Sequence, residues 1–262
     1  MRLRLTIILF LNIVGVFEVL AQNTFQKSSF TAADGFVLPY QVLYPEGYDA
    51  NKRYPIVLFL HGSGERGNDN EAQLAHASKQ FLGPEFRKKH PCIVLFPQCP
   101  ADQYWGSVTI DRTTSPFELR FDYAHPATQP LAAAIALVQD FITAKKADPK
   151  RIYITGLSMG GMGTFEAVHR HPKMFAAAMP ICGGGDTEHY TKKAKRVPFW
   201  IFHGDADIAV SVEMSRNMVA CLKKRHTNFV RYTEYAGVNH NSWDNAFAEP
   251  EYLGWMFAQH RK

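Results

Sequence analysis

Past residue 22 the chain alternates short apolar runs with longer segments of helical period. Phe36 to Tyr44 alternates apolar and polar positions, as an early edge strand would. Pro55 to Leu60 and Cys92 to Phe96 are continuous apolar runs, the pattern of strands covered by helices on both faces. Leu131 to Ala144 has helical spacing and leads to Arg151–Thr155, a strand rich in β-branched and aromatic side chains. A helix-like run from Gly161 to Arg170 follows. Phe175 to Ile181 and Phe199 to Phe202 read as two further strands, and Val212 to Lys224 as a helix. Phe229 to Tyr235 then reads as a late strand and Trp243 to Gln259 as a closing helix. Strands alternating with helices predict an α/β domain over 22–262 with a mainly parallel sheet. No repeat, low-complexity tract or linker divides it.

Two connections depart from an even rhythm. The one between Ile181 and Phe199 is too short for a helical cap, so an uncapped, open site is expected. The one from Pro97 to Gln129 is long and carries Tyr104, Trp105, Phe117, Phe121 and Tyr123. So many rings argue against disorder, and long connections in compact domains are commonly functional. Each ring either lines a site or packs the loop onto the core.

The first residues have the make-up of a targeting segment. Arg2 and Arg4 precede an apolar stretch from Leu5 to Leu20, and Val19-Leu20-Ala21 fits the small-x-small cleavage rule. A signal peptide over 1–21 is expected, with the mature chain starting at Gln22 and exported to the periplasm or medium. The stretch is short for a bilayer span and includes Glu18, so no stable membrane anchor is expected. No Cys follows Ala21 to take a lipid. Cys92, Cys99, Cys182 and Cys221 could pair after export, although Cys92 and Cys182 sit in strand-like runs where buried free thiols are common. They show no metal-ligand spacing. The formal charge of +5 is scattered rather than striped, so no nucleic-acid partner is expected.

The chemistry concentrates in Gly156-Leu157-Ser158-Met159-Gly160, which reads G-x-S-x-G between a strand and a helix. In that setting the motif is a nucleophile elbow: small flanking residues permit a turn tight enough to expose the serine hydroxyl. A serine needs a base, and the base needs an acid to hold its tautomer. In the chain order Ser, Asp, His, the base falls to His226, His240 or His260. His226 and His260 lie among charged residues, whereas His240 sits in a loop between a strand and a helix, where a base must stand. The acid is Asp205 or Asp207, both just past the Phe199–Phe202 strand, and spacing favours Asp207 only slightly. An oxyanion hole would combine the N–H of Met159 with one from His61-Gly62-Ser63-Gly64, most simply Ser63, then Gly64. That glycine loop lacks the spacing of a phosphate-binding motif. His203, Asp205 and Asp207 are too mixed a set to specify a metal. Neither a metal nor a cofactor is expected.

These residues resemble the α/β-hydrolase superfamily, and more narrowly the capless esterases grouped with carbohydrate esterase family 1 and the polyhydroxybutyrate depolymerase-like proteins. The segments that carry the resemblance are Leu60–Gly67, Phe96–Pro100, Thr155–Thr164, Pro180–Asp186, Phe202–Asp207 and His240–Trp243. Aligned on the family pattern H-G-x-x-D-x-x-V, the acid becomes Asp207, with Ser211 where a proline often stands. The resemblance further implies a substrate-binding role for Trp105, with Tyr104 beside it, and feruloyl or acetyl esters on plant polysaccharide as substrates. A small serine peptidase or a general carboxylesterase is the competing enzyme reading, although no acidic pair is placed to anchor a peptide N-terminus. A non-catalytic glycan-binding module on the same fold is the reading from outside enzymology.

Overall fold

A computed structural model describes residues 24–224 and 229–261. The proposed signal peptide, its cleavage site and His226 lie outside the described residues.

Strands β1 (Gln26–Thr31), β2 (Val37–Leu43), β3 (Tyr54–Leu60) and β4 (Ile93–Pro97) open the chain. Strands β5 (Val108–Asp111) and β6 (Glu118–Phe121) form a separate two-stranded hairpin. Strands β7 (Ala147–Leu157), β8 (Ala177–Ile181), β9 (Phe199–Gly204) and β10 (Val230–Tyr235) complete the set. The main sheet has eight strands in the order β1-β2-β4-β3-β7-β8-β9-β10. Its pairings are parallel from β4 to β10 and antiparallel at β1–β2 and β2–β4.

Helices α1 (Ser78–Leu82) and α2 (Pro84–Lys89) lie between β3 and β4. Helix α3 (Gln129–Thr143) opens where the Thr128 hydroxyl accepts the Leu131 N–H, with Pro130 in the first turn. Helix α4 (Met159–Arg170) follows β7, α5 (Val212–Lys223) follows β9, and α6 (Trp243–Ala248) and α7 (Tyr252–Ala258) follow β10. The central strands β3 and β4 are buried along their whole length, which is why they read as continuous apolar runs. Separate buried clusters lie on the two faces of the sheet, Leu58, Ile154 and Phe165 on one, Phe59, Tyr153 and Trp200 on the other.

Three expectations need correction. The Phe36–Tyr44 segment is not an edge strand, since β1 pairs outside β2 and takes the edge. Its residues Gln26-Lys27-Ser28-Ser29-Phe30-Thr31 are mostly polar and only half-buried, so burial left little pattern to read. The closing helix is two helices. Pro250 cannot continue an α-helix, and Glu249 before it is extended at φ −61°, ψ 122°. The connection from Pro97 to Gln129 contains the β5–β6 hairpin, whose four-residue strands are too short to announce themselves.

That connection is anchored from within. The Glu166 carboxylate on α4 is fully buried and accepts from Ser107 N–H at 2.5 Å, Ser107 Oγ at 2.8 Å and Arg170 Nε at 2.7 Å. The hairpin's apolar face, including Leu119, then packs on Met162 of α4 and on Val210. Replacing Glu166 with Ala leaves the Ser107 N–H without its acceptor and the Arg170 guanidinium with only the His125 carbonyl. The variant should lose about 3 kcal/mol or more, read as a lower urea midpoint at an unchanged slope.

Candidate active site

The site lies beyond the C-terminal ends of the parallel strands, where such sheets present their loops to ligands. Ser158 follows β7 directly and caps α4, with φ 53° and ψ −115°. Its N–H donates to Ile181 O at 2.9 Å, and its carbonyl accepts from Met162 N–H at 3.0 Å. The glycines around it explain the motif. A Cβ on Gly160 would stand 1.8 Å from Leu60 O, and one on Gly156 would stand 2.5 Å from Gly160 O. The elbow is therefore a place where backbones touch, and side chains at those two positions are excluded.

His240 lies in the loop after β10 and bridges two elements. Its Nε2 is 2.9 Å from Ser158 Oγ, and its Nδ1 is 2.7 Å from Asp207 Oδ2. The imidazole also packs edge-on against Trp243, with ring centroids 5.5 Å apart. Asp207 follows β9 and is buried. Its Oδ1 accepts the N–H groups of Ala209 and Val210, both at 2.8 Å. Burial pushes this carboxyl up, but hydrogen bonds from His203, His240 and the Val210 N–H outweigh it and hold the group well below the usual carboxylate range. Asp205 is turned to other work, accepting the Gly237 N–H at 2.6 Å. Spacing alone left these two acids nearly equal, and the geometry separates them.

A fourth side chain extends this line. His203 is fully buried, with Nδ1 2.7 Å from Ser215 Oγ and Nε2 2.9 Å from Val210 O and 3.2 Å from Asp207 Oδ2. Both groups facing Nε2 are acceptors, so the Nε2 proton belongs to them. The sequence offered His203 as a member of an unconvincing metal set and as the first residue of the H-G-x-x-D-x-x-V pattern, with no role assigned to it. Its signal was its place in the apolar strand β9, where a histidine must find buried partners.

The loop after β3 forms a short 3-10 turn at Ser63–Glu65. Among the described residues, no backbone acceptor takes the N–H of Ser63, Gly64 or Met159. Ser63 and Met159 line one cleft with Ser158 and His240, whereas Gly64 is not part of that lining. Beneath the loop, His61 is held neutral. Its Nδ1–H donates to Gly62 O at 2.6 Å, its Nε2 accepts from Cys99 N–H at 2.9 Å, and burial pushes its pKa down to about 4.

Trp105 does not reach the cleft. It is fully buried, donates from Nε1 to His61 O at 3.1 Å and meets His61 edge-on. Its Cβ lies so close to α4 that a Cβ on Gly163 would stand 2.6 Å away. The ring is part of the core, so the substrate contact expected of Trp105 has no place in the cleft. Tyr104 does line the cleft, with Ile110, Arg112, Phe117 and Leu119 of the hairpin segment and Met162, Ala209 and Val210 opposite. The cleft holds about 130 Å³. The segment between β8 and β9 places no cap over it, its regular structure being a single 3-10 turn at Ala194–Arg196. The β5–β6 hairpin supplies a side wall instead, pinned to the acid loop where Phe117 N–H donates to Ala209 O at 3.0 Å.

The four cysteines are free and buried. The ligating atoms of Cys182, Asp207 and His240 lie within 4.8 Å of one another. Asp207 and His240 already satisfy each other, and burial pushes the Cys182 thiol far up.

Two tests follow from this packing. Gly160→Ala should fail to accumulate as folded protein, because neither Leu60 nor the elbow can retreat from a Cβ. Gly64→Ala should fold with a wild-type melting curve, since its Cβ would meet nothing within 4 Å. The second test concerns pH. His61 titrates at about 4 in the folded chain against an ordinary 6.5, so on acidification the unfolded chain takes up its proton first. The stability this confers is complete above the unfolded value and is lost as pH falls towards the folded one, about 3 kcal/mol in all. Urea midpoints from pH 7.5 to 4.5 should fall accordingly, and His61→Gln should start lower and fall less steeply.

The chain is similar to known carboxylesterases. The family profile described as phospholipase/carboxylesterase matches residues 48–250. Carboxylesterase SOBER1 of Arabidopsis thaliana is 24% identical over 196 residues, which are 71% of this chain and 82% of the plant protein. The crystal structure of a thermostable esterase superposes with a TM-score of 0.81 at 37% identity, covering 92% of this chain. This chain spans only 64% of that esterase's length. The carbohydrate esterase family 1 ferulic acid esterase AmCE1/Fae1A of Anaeromyces mucronatus superposes with a TM-score of 0.59 at 16% identity, covering 83% and 84% of the two chains, a likeness of fold. With its α/β-hydrolase sheet and its match across residues 48–250, the chain belongs to the phospholipase/carboxylesterase family of serine hydrolases.

Proposed function

We propose that Ser158, His240 and Asp207 are the catalytic triad of this carboxylesterase, and that it acts as an exported enzyme on acetyl or feruloyl esters of plant polysaccharide. The unbroken line from Ser158 Oγ through His240 to the buried Asp207 carboxylate carries the assignment of roles. His240 takes the serine proton as Ser158 attacks the ester carbonyl. Asp207 fixes the tautomer with the proton on Nδ1 and stabilises the imidazolium that forms. The N–H groups of Ser63 and Met159 receive the oxyanion. His240 returns the proton to the leaving alcohol, then activates the water that releases the acid from the acyl-enzyme.

The substrate class rests on the shape of the cleft. Its small volume suits a compact acyl group, and its open side leaves a bulky alcohol outside. Tyr104 and Phe117 offer rings beside the serine, on which a sugar or phenolic group can pack. The export half of the proposal rests on the basic, apolar and small-residue pattern of the first 21 residues.

The test sets acetylated xylan, methyl ferulate, p-nitrophenyl acetate to decanoate and an aminoacyl-p-nitroanilide side by side. Ser158→Ala and His240→Ala should each cost about 10⁴-fold or more in kcat, with Asp207→Asn losing somewhat less. Turnover of acetylated xylan or ferulate that vanishes with Ser158→Ala supports the whole reading. Turnover of the anilide alone would replace it with a peptidase, and turnover that survives Ser158→Ala would end the triad assignment.

A further inference from the structure

The cleft beside Ser158 contains one cationic side chain besides the titratable His240, and that side chain is Arg112. It stands just past β5, is exposed, and donates to Tyr104 Oη at 3.1 Å. Its guanidinium carbon lies 4.9 Å from the centre of the Phe117 ring. Tyr104 carries a second guanidinium on its ring, since Arg66 lies 4.7 Å from that centroid while donating to Ser63 O and Gln103 O. Two arginines thus converge on one phenol at the edge of the oxyanion loop.

The acids near this pair make no ion pair with it. Asp111 Oδ1 accepts from Thr113 N–H and Thr113 Oγ1, Glu118 pairs with Arg120, and Glu65 reaches His76 at 3.6 Å with one oxygen while its other, Oε2, is buried without a hydrogen-bond partner. Among the described residues, no carboxylate makes an ion pair with Arg112 or Arg66. Asp207, the one acid that reaches the triad, is buried and satisfied on both oxygens. The cleft therefore has a guanidinium fork, an apolar wall from Ile110, Phe117 and Leu119, and no internal anion to occupy the fork. Guanidinium groups bind carboxylates in two parallel hydrogen bonds, and a neighbouring aromatic face holds the fork in place without satisfying its donors.

We propose that Arg112, supported by Tyr104 and Arg66, is a specificity-determining residue that selects esters carrying a carboxylate close to the scissile bond. The proposal rests on Ser158 being the nucleophile, and it adds a charge requirement to the esters that the same site accepts. The carboxylate can stand on the acyl side, as in the half-ester of a dicarboxylic acid. It can equally stand on the alcohol side, as in an acetylated uronate unit of an acidic polysaccharide. In either case the cleft that holds Arg112 is the one that holds Ser158, so a short linker joins the two groups.

The experiment compares matched pairs of esters by initial rate. The acyl arm pairs monoethyl succinate with ethyl pentanoate, and the alcohol arm pairs 4-acetoxybenzoate with 4-acetoxybenzamide. For each pair the ratio of kcat/KM, charged over neutral, is measured in the wild type, Arg112→Gln, Arg112→Lys and Ser158→Ala. Comparing ratios between variants cancels the intrinsic reactivity of the esters. Arg112→Gln should lower the ratio by about tenfold or more in one arm, chiefly through KM of the charged ester, and the arm that responds locates the carboxylate. Arg112→Lys should keep part of the preference, and added salt should shrink the wild-type ratio while leaving the glutamine variant's unmoved. A ratio unchanged by Arg112→Gln in both arms overturns the proposal while leaving the triad intact. Hydrolysis that survives Ser158→Ala overturns the triad, a separate outcome read on the same esters.

Discussion

Contact between the backbone of the elbow and the end of β3 is the constraint on which the site depends. With Gly160 in the first turn of α4, the helix is drawn onto the Leu60 carbonyl more closely than any side chain would allow. That approach turns the chain sharply enough to put Ser158 at φ 53° and ψ −115°, outside the regions an ordinary residue prefers. Such a conformation costs about 1–3 kcal/mol and persists because its surroundings over-determine it. Here the bonds from Ser158 N–H to Ile181 O and from Met162 N–H to Ser158 O hold it from both sides. The same contact sets the start of α4 beside the loop after β3. The N–H groups of Met159 and Ser63 are then brought to one cleft by packing, with no side chain required to aim them.

Burial is greatest at the far end of the proposed proton path. Ser158 lies at the cleft, His240 is partly exposed, and Asp207 and His203 are enclosed. A buried carboxylate is costly unless its lone pairs are taken, and Asp207 has two backbone N–H groups on one oxygen and two histidines near the other. The acid loop that supplies those N–H groups is held in turn by Asn239, whose Oδ1 accepts from Ile208 N–H and from His240 N–H. Asn239 thus ties the loop bearing the acid to the loop bearing the base. The relative position of Asp207 and His240 follows from that bridge as well as from their own hydrogen bond.

Sequence revealed the parts of this arrangement that depend on small residues and on chain order. Gly156 and Gly160 stand where only glycine fits, and the central strands are apolar because helices cover both faces. These are constraints that leave a mark on residue type. Less was legible where the structure relies on partners distant in the chain. The half-buried strand β1 has no apolar rhythm, and the strands of the hairpin are short. Trp105 and Tyr104 are adjacent aromatics that composition cannot tell apart. Yet the first lies under Gly163 as core, and the second faces the cleft, on a bend that belongs to no strand or helix whose period could be read. His203 was opaque for a similar reason, its partner Ser215 being contributed by a helix that follows the acid loop.

The division of labour in this fold follows from how its two parts are fastened. The proposed triad hangs on the ends of the parallel strands, where a buried sheet fixes it. The wall that a substrate meets is a hairpin carried on a long connection, tied to α4 through Glu166 and to the acid loop through Phe117. Because Leu119 packs on Met162 and Val210, the wall is seated on the same helix that presents the serine and the same loop that presents the acid. Changes at the tip of the hairpin, where Arg112 stands, can therefore alter what the cleft accepts without moving the groups that do the chemistry. A capless hydrolase would otherwise have little surface beside its nucleophile with which to choose a substrate, and the excess length of the connection after β4 gives the chain that surface.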